Sequence, residues 1–177
     1  MKKIKKYIPK FIILDTLIYS ALIAILYILL SSCNLMLREW VYIVSAILIL
    51  IGFTAGVIQL FLKIKRKALK ISLIVIFLIL LLLSSPMLCF IAAFSYMPEH
   101  VVNKDGKKYV AYVNGFLRTY VYYYDYKNFI VSGKQKRIEE YYGKGGFDPI
   151  KNKFGNERNV ESTIYYDENG KNVTTTE

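Results

Sequence analysis

Charge is almost absent from three long stretches of the chain and common everywhere else. Phe11–Ser32 (FIILDTLIYSALIAILYILLSS) carries a single charge, Asp15, and Val41–Leu62 (VYIVSAILILIGFTAGVIQLFL) carries none. Ile71–Phe90 (ISLIVIFLILLLLSSPMLCF) carries none either, and IAAFSYM extends the apolar run to Met97. About 20 apolar residues rising 1.5 Å each cross a hydrocarbon core of about 30 Å, so each stretch is long enough to span a membrane. Lipid offers the backbone no hydrogen-bond partner, so the stretches predict helices in spite of their many β-branched residues. The expected transmembrane helices cover 11–32, 41–62 and 71–92.

From Pro98 onward the pattern changes from runs to alternation. KKYVAYV and FLRTYVYYYDY flank Asn114-Gly115, and Asn-Gly between alternating apolar runs is a strong hairpin signal. A two-residue turn there pairs Val113 with Phe116, Tyr112 with Leu117, Ala111 with Arg118, Val110 with Thr119 and Tyr109 with Tyr120. One face then holds Val110, Tyr112, Leu117, Thr119, Val121 and Tyr123, a set suited to a core. The other holds Lys107, Tyr109, Ala111, Arg118, Tyr120, Tyr122 and Tyr124. A second hairpin is expected in STIYYDENGKNVTTT, turning at Asn169-Gly170, with NFIVSG and KRIEEYYG as further strands and GKGGFDPIKNKFGN as a loop. About five to seven short strands predict a small antiparallel sheet, sandwich or partial barrel. A domain of this size is marginal alone. The expected class is therefore three transmembrane helices within 11–97, preceded by a basic N-terminus (1–10) and followed by a small antiparallel β-rich domain (98–177).

Charge then orients the chain. Lys2, Lys3, Lys5, Lys6 and Lys10 precede the first span, and Lys63, Lys65, Arg66, Lys67 and Lys70 separate the second from the third, all without an acid among them. Between the first and second spans stands only Arg38, beside Glu39. Basic connections stay in the cytoplasm, so the N-terminus is expected there and the domain after Met97 is expected to be extracytoplasmic. The net charge of +11 is thus mostly a threading signal that also favours anionic membrane lipids, and it does not point to nucleic acid. The wealth of Lys, Ile, Asn and Tyr fits an AT-rich bacterial genome.

Few residues within the spans carry chemistry. Asp15 lies four residues into the first span, with Tyr19 one turn away and the N-terminal lysines as further candidate partners; an intramembrane acid is a candidate functional group, and its shallow depth lowers its cost. Ser84-Ser85-Pro86 is expected to kink or loosen the third helix. Gly52 and Gly56 form a small-xxx-small pattern that lets helices approach closely. Cys33 and Cys89 both fall near the outer face, where a disulfide is conceivable. LSSC at Leu30–Cys33 resembles a bacterial lipobox, which implies acylation of Cys33; the length of the span and the two further spans speak for a retained helix instead.

The β-rich domain offers an aromatic surface rather than a catalytic one. Tyr109, Arg118, Tyr120, Tyr122 and Tyr124 form a row of rings with a cation, suited to a solvated strand, a protein interface or the sugar rings of a cell envelope. YYDENGKNV resembles one hairpin of the aromatic repeats that bind cell-wall glycans; it occurs once and lacks tryptophan. The single histidine, His100, stands beside Glu99 without an HExxH partner, and the chain has no G-x-S-x-G elbow, P-loop or dinucleotide-binding glycine pattern. Glu139 and Glu140 are adjacent, so on a strand they point to opposite faces, and a solvated edge is the expected setting. These features predict a non-enzymatic membrane protein without a cofactor, whose outer domain binds a protein partner as an accessory, immunity-type or sensory component. The alternatives are an enzyme or transporter component built on Asp15 or His100, and a binder of cell-envelope glycan.

Overall fold

Three helices occupy the uncharged stretches: α1 Ile12–Ser32, α2 Glu39–Leu62 and α3 Lys67–Ser95. All three are long and apolar enough to cross a membrane. The structure, a computed structural model, describes residues 11–151 and 160–176, without the side chains of 174–176. The N-terminal lysines and part of the expected glycine-rich loop therefore lie outside the described residues. The chain forms two units, one from Met1–Leu26 with Tyr42–Ile91, the other from Tyr27–Val41 with Ala92–Glu177.

In the first unit the small-xxx-small pattern does what its spacing predicts. A Cβ on Gly56 would lie 2.9 Å from the Cβ of Ile13 and 3.0 Å from its backbone nitrogen; one on Gly52 would strike the side chain of Thr16. The missing side chains let α2 lie against α1 at backbone distance. Polar groups tie the same pair, with Tyr19 Oη on Ser45 Oγ at 3.2 Å and the Ile12 N–H on Gln59 Oε1 at 3.3 Å. Tyr19 thus turns to Ser45, while Asp15 lies exposed in the first turn of α1. α3 runs on through Pro86. Proline leaves the Leu82 carbonyl without its backbone donor, and the Ser85 hydroxyl donates to that oxygen at 2.8 Å.

The second unit is one antiparallel sheet of seven strands: β1 Leu35–Leu37, β2 Glu99–Lys104, β3 Lys107–Asn114, β4 Arg118–Tyr126, β5 Val131–Lys144, β6 Ser162–Tyr166 and β7 Asn172–Thr176. Strands β2 to β7 are neighbours in chain order. β5 is the spine. One of its edges pairs with β4; the other carries β1 along Val131–Gly133 and β6 along Ile138–Tyr141. NFIVSG and KRIEEYYG thus contribute to one long strand rather than two, and three residues between the first two spans supply a strand that alternation did not reveal.

The expected β6–β7 hairpin is present, but its turn runs over residues 167–170, where the Gly170 N–H donates to the Asp167 carbonyl at 3.1 Å and Gly170 takes φ 76°. The first hairpin departs further from its expected turn. β2 and β3 meet through a two-residue turn at Asp105-Gly106, where φ is 51° and 74°, the paired positive values that such a turn demands. Asn114 and Gly115 both lack positive φ, and β3 pairs with β4 through Val113↔Val121 and Tyr112↔Tyr122. Val113 therefore faces a residue five positions beyond Phe116. An odd shift moves every residue of one strand to the opposite face of its partner. Tyr109, Ala111 and Val113 now share a core with Val121, Tyr123 and Ile138, while Val110 and Tyr112 join Tyr120, Tyr122 and Tyr124. The physical reason is that Tyr109–Val113 are buried without a break, so β3 has no wet face to select its register.

Candidate functional site

Two faces of the sheet carry clusters of polar side chains, and β5 supplies an acid to each. On the core side Glu140 is only 4 % exposed and receives hydrogen bonds from Tyr123 Oη at 2.5 Å, Tyr142 Oη at 2.8 Å and the Lys104 ammonium. Its expected setting on a solvated edge is corrected: β4 and β6 flank it at Val121 and Thr163. Burial, reinforced by the bond to Glu140, pushes the Tyr123 phenol well above the ordinary tyrosine range, and burial followed by the charge of Glu140 does the same for Tyr142. Both stay protonated and donate. Glu140 is a structural acceptor that holds three donors, two on Oε2 and one on Oε1.

The opposite face carries the tyrosine row. Tyr120 and Tyr122 lie two residues apart on β4, so their rings stand side by side, parallel within 1° at 6.1 Å. Tyr141 of β5 is opposite Tyr120, with ring centroids 4.9 Å apart, and Tyr124 meets Tyr112 edge-on at 5.5 Å. Arg118 is exposed at the end of the row, two residues before Tyr120 on β4. Beside the row Glu139 binds the Lys136 ammonium and accepts from Tyr166 Oη at 2.8 Å. Lys136 lies over the rings of Tyr122 at 5.1 Å and Tyr166 at 4.4 Å. Burial alone would lower the Lys136 pKa, but its bonds to Glu139 and Tyr166 raise it, so this cation is held charged. Burial raises Tyr122, with the charge of Glu139 adding to it.

Of the residues singled out in the sequence, Arg118, Tyr120, Tyr122 and Tyr124 share this face. Tyr109 does not: it is buried in the core, edge-on to Tyr123 at 6.3 Å. Tyr141, Lys136 and Tyr166 join the face without having been singled out. The alternation in KRIEEYYG was a usable signal for Tyr141, but its pairing with Tyr120 was not readable without the register.

Arg38 turns out to be a central residue rather than a stray charge in a connection. It is buried, bonded to Glu99 through Nε at 2.5 Å and a second guanidinium nitrogen, and lies 5.7 Å from the ring centroids of Tyr126 and Phe129. Glu99 also accepts the Glu39 N–H at 2.9 Å, capping the start of α2. His100 is bonded to Asp148 at 2.7 Å, and Asp148 in turn accepts the N–H groups of Ile150 and Lys151. An open cleft of about 370 Å³ has a lining of mixed charge that includes Tyr109, Asp125, Arg137 and Asp167, with Arg137 Nε on Asp125 at 2.8 Å. Cys33 and Cys89 are free and exposed. Among the described residues, no three His, Cys, Asp or Glu side chains come together in a way that would hold a metal ion. No protein-family model, curated protein or solved structure matches the chain.

Proposed function

We propose that the chain is a non-enzymatic multi-pass protein of the cell membrane, with its N-terminus in the cytoplasm and its sheet outside. The sheet binds a protein partner through Tyr120, Tyr122, Tyr124 and Tyr141, with Arg118 at the end of the row, in the manner of an accessory, immunity-type or sensory component. The basic residues that flank the first span and separate the second from the third favour this threading. The pairing of β1 with β5 agrees with it, because the two strands are separated by α2 and α3 and must lie on one side of a bilayer. The observation that carries the partner reading is the stacked pair Tyr120–Tyr122 backed by Tyr141 on the non-core face. Large, stiff rings with hydroxyl tips lose little entropy on binding and are enriched in protein interfaces.

A photo-cross-linking residue at Tyr122 in intact cells, followed by mass spectrometry, tests this. One protein recovered in good yield is the expected result. Envelope glycan without protein would turn the face into a sugar platform, and an empty cross-link would end the reading. Arg118→Ala and Tyr120→Ala are expected to weaken the cross-link while Asp15→Asn leaves it intact. Loss of the phenotype with Asp15→Asn and His100→Ala would favour an enzyme or transporter component instead. An impermeant thiol reagent should label a cysteine introduced at Thr174 in a Cys33→Ser, Cys89→Ser background, and protection there would overturn the threading.

A further inference from the structure

Phe116, Leu117, Phe129 and Ile130 are exposed apolar residues, and they occur as two adjacent pairs. One pair lies between β3 and β4, the other between β4 and β5, so the two stand at opposite ends of β4. Phe116 and Leu117 are 62 % and 75 % exposed, values that a soluble loop seldom gives to two large apolar neighbours. Each pair touches an aromatic ring on the end of an apolar helix. Phe116 meets Phe94, in the last turn of α3, edge-on at 4.6 Å. Phe129 meets Trp40, the second residue of α2, at 4.8 Å, and its carbonyl accepts the indole N–H at 3.0 Å. A basic residue flanks each pair, Arg118 after Leu117 and Lys127 before Phe129, and both are exposed. The second loop is also held in shape, since Asn128 Oδ1 accepts the N–H groups of Ile130 and Val131 at 2.8 Å.

We infer that these two loops are membrane-attachment points: Phe116-Leu117 and Phe129-Ile130 enter the interfacial layer of the bilayer, with Arg118 and Lys127 on its anionic headgroups. The inference rests on the helices crossing a bilayer. The ends of such helices lie at the headgroup level, where aromatic side chains gather, and rings in contact with Trp40 and Phe94 share that level. Four apolar side chains removed from water and two cations near anionic lipid supply attraction at both ends of β4. This attachment supplements the marginal core of a small sheet.

Trp40 is the only tryptophan, so a Trp40→Phe background is dark and one reporter can be placed at a time. The full chain, reconstituted in phosphatidylcholine vesicles containing phosphatidylglycerol, carries Phe116→Trp, Phe129→Trp, Val173→Trp or Ile51→Trp. The two loop reporters are expected to emit at short wavelength and to be quenched by lipids brominated high on their acyl chains. Val173→Trp, exposed on β7, is expected to be quenched by aqueous iodide. Ile51→Trp near the middle of α2 is expected to be quenched by lipids brominated deep on the chain. Loop reporters quenched by iodide, or short-wavelength emission without lipid quenching (the sign of burial against protein), would overturn the inference while Ile51→Trp still reports a spanning helix. Failure of Ile51→Trp itself would instead overturn the membrane reading beneath it.

Discussion

Glu139 and Glu140 are neighbours on β5 with the same carboxylate, and the two sides of the sheet use them differently. Glu140 faces the core, where it is buried and bonded to Lys104, Tyr123 and Tyr142. Glu139 faces the tyrosine row, where Lys136 and Tyr166 hold it at a half-wet surface. A buried charge is costly to leave unpaired, whereas a screened pair contributes little, so the same residue type acts as a structural element on one side and a tuning element on the other. Tyrosine contributes to both the core and the candidate binding face, so water access rather than this residue type divides the two.

The largest expected effect would limit that division, because part of the tyrosine side is itself closed off. Tyr112 is buried there, its phenol raised by burial and by the charge of Glu99, and Arg38 lies in the same buried surroundings. Arg38→Ala leaves Glu99 without its guanidinium and should destabilise the sheet by about 4 kcal/mol, as removal of one member of a buried ion pair does. Urea unfolding of the micelle-held chain, followed by near-ultraviolet circular dichroism, measures it. A loss as small as that of a surface pair would mean that the first connection does not close this part of the face. Glu140→Ala should follow at about 3 kcal/mol, somewhat less because Lys104 keeps partial contact with water and can be solvated. If Glu140→Ala proved no worse than a change at Glu139, the comparison would fail.

A pH titration probes the core side without mutation. Tyr123 has its folded pKa raised above the free tyrosine value of about 10, so the stability it contributes is complete below that pH. Above it the unfolded chain ionises first, and stability falls by about 1.4 kcal/mol per pH unit for this group as pH rises toward the folded value. Phenolate absorbance from Tyr123 should therefore appear only as the sheet opens, in a late wave that coincides with unfolding. Tyr123→Phe should make the alkaline loss shallower. Ionisation of Tyr123 with the sheet intact would show that water reaches the core side.

Legibility in the sequence follows the same division between local and distant causes. The three helices were readable because each is a long run almost free of charge, and the approach of α1 to α2 because Gly52 and Gly56 are one turn apart. The turn over residues 167–170 is likewise a local event. The register of β3 was not readable, because Val110 and Tyr112, which alternation grouped with Val121 and Tyr123, are buried on the tyrosine side instead, and part of their cover comes from distant residues around Arg38. β1 is three residues long and finds its partner at Val131–Gly133, far along the chain. The tyrosine row on β4 survived the error because alternation within one strand does not depend on its neighbour; Tyr109, across the strand boundary, did not.

The smallest expected effect is at Glu139, and it is the most informative about binding. Glu139→Gln keeps an acceptor for Tyr166 and removes only the charge that faces Lys136, so it should cost less than about 1 kcal/mol, a difference that added salt erases. The Lys136 ammonium, no longer neutralised, stays over Tyr122 and Tyr166 and makes the tyrosine face more positive. Cross-linking from Tyr122 should then change in yield by several-fold while the unfolding midpoint barely moves, the signature of a residue that tunes a surface. Equal and large losses in both measurements would make Glu139 a second Glu140, and the tyrosine row would then be an extension of the core.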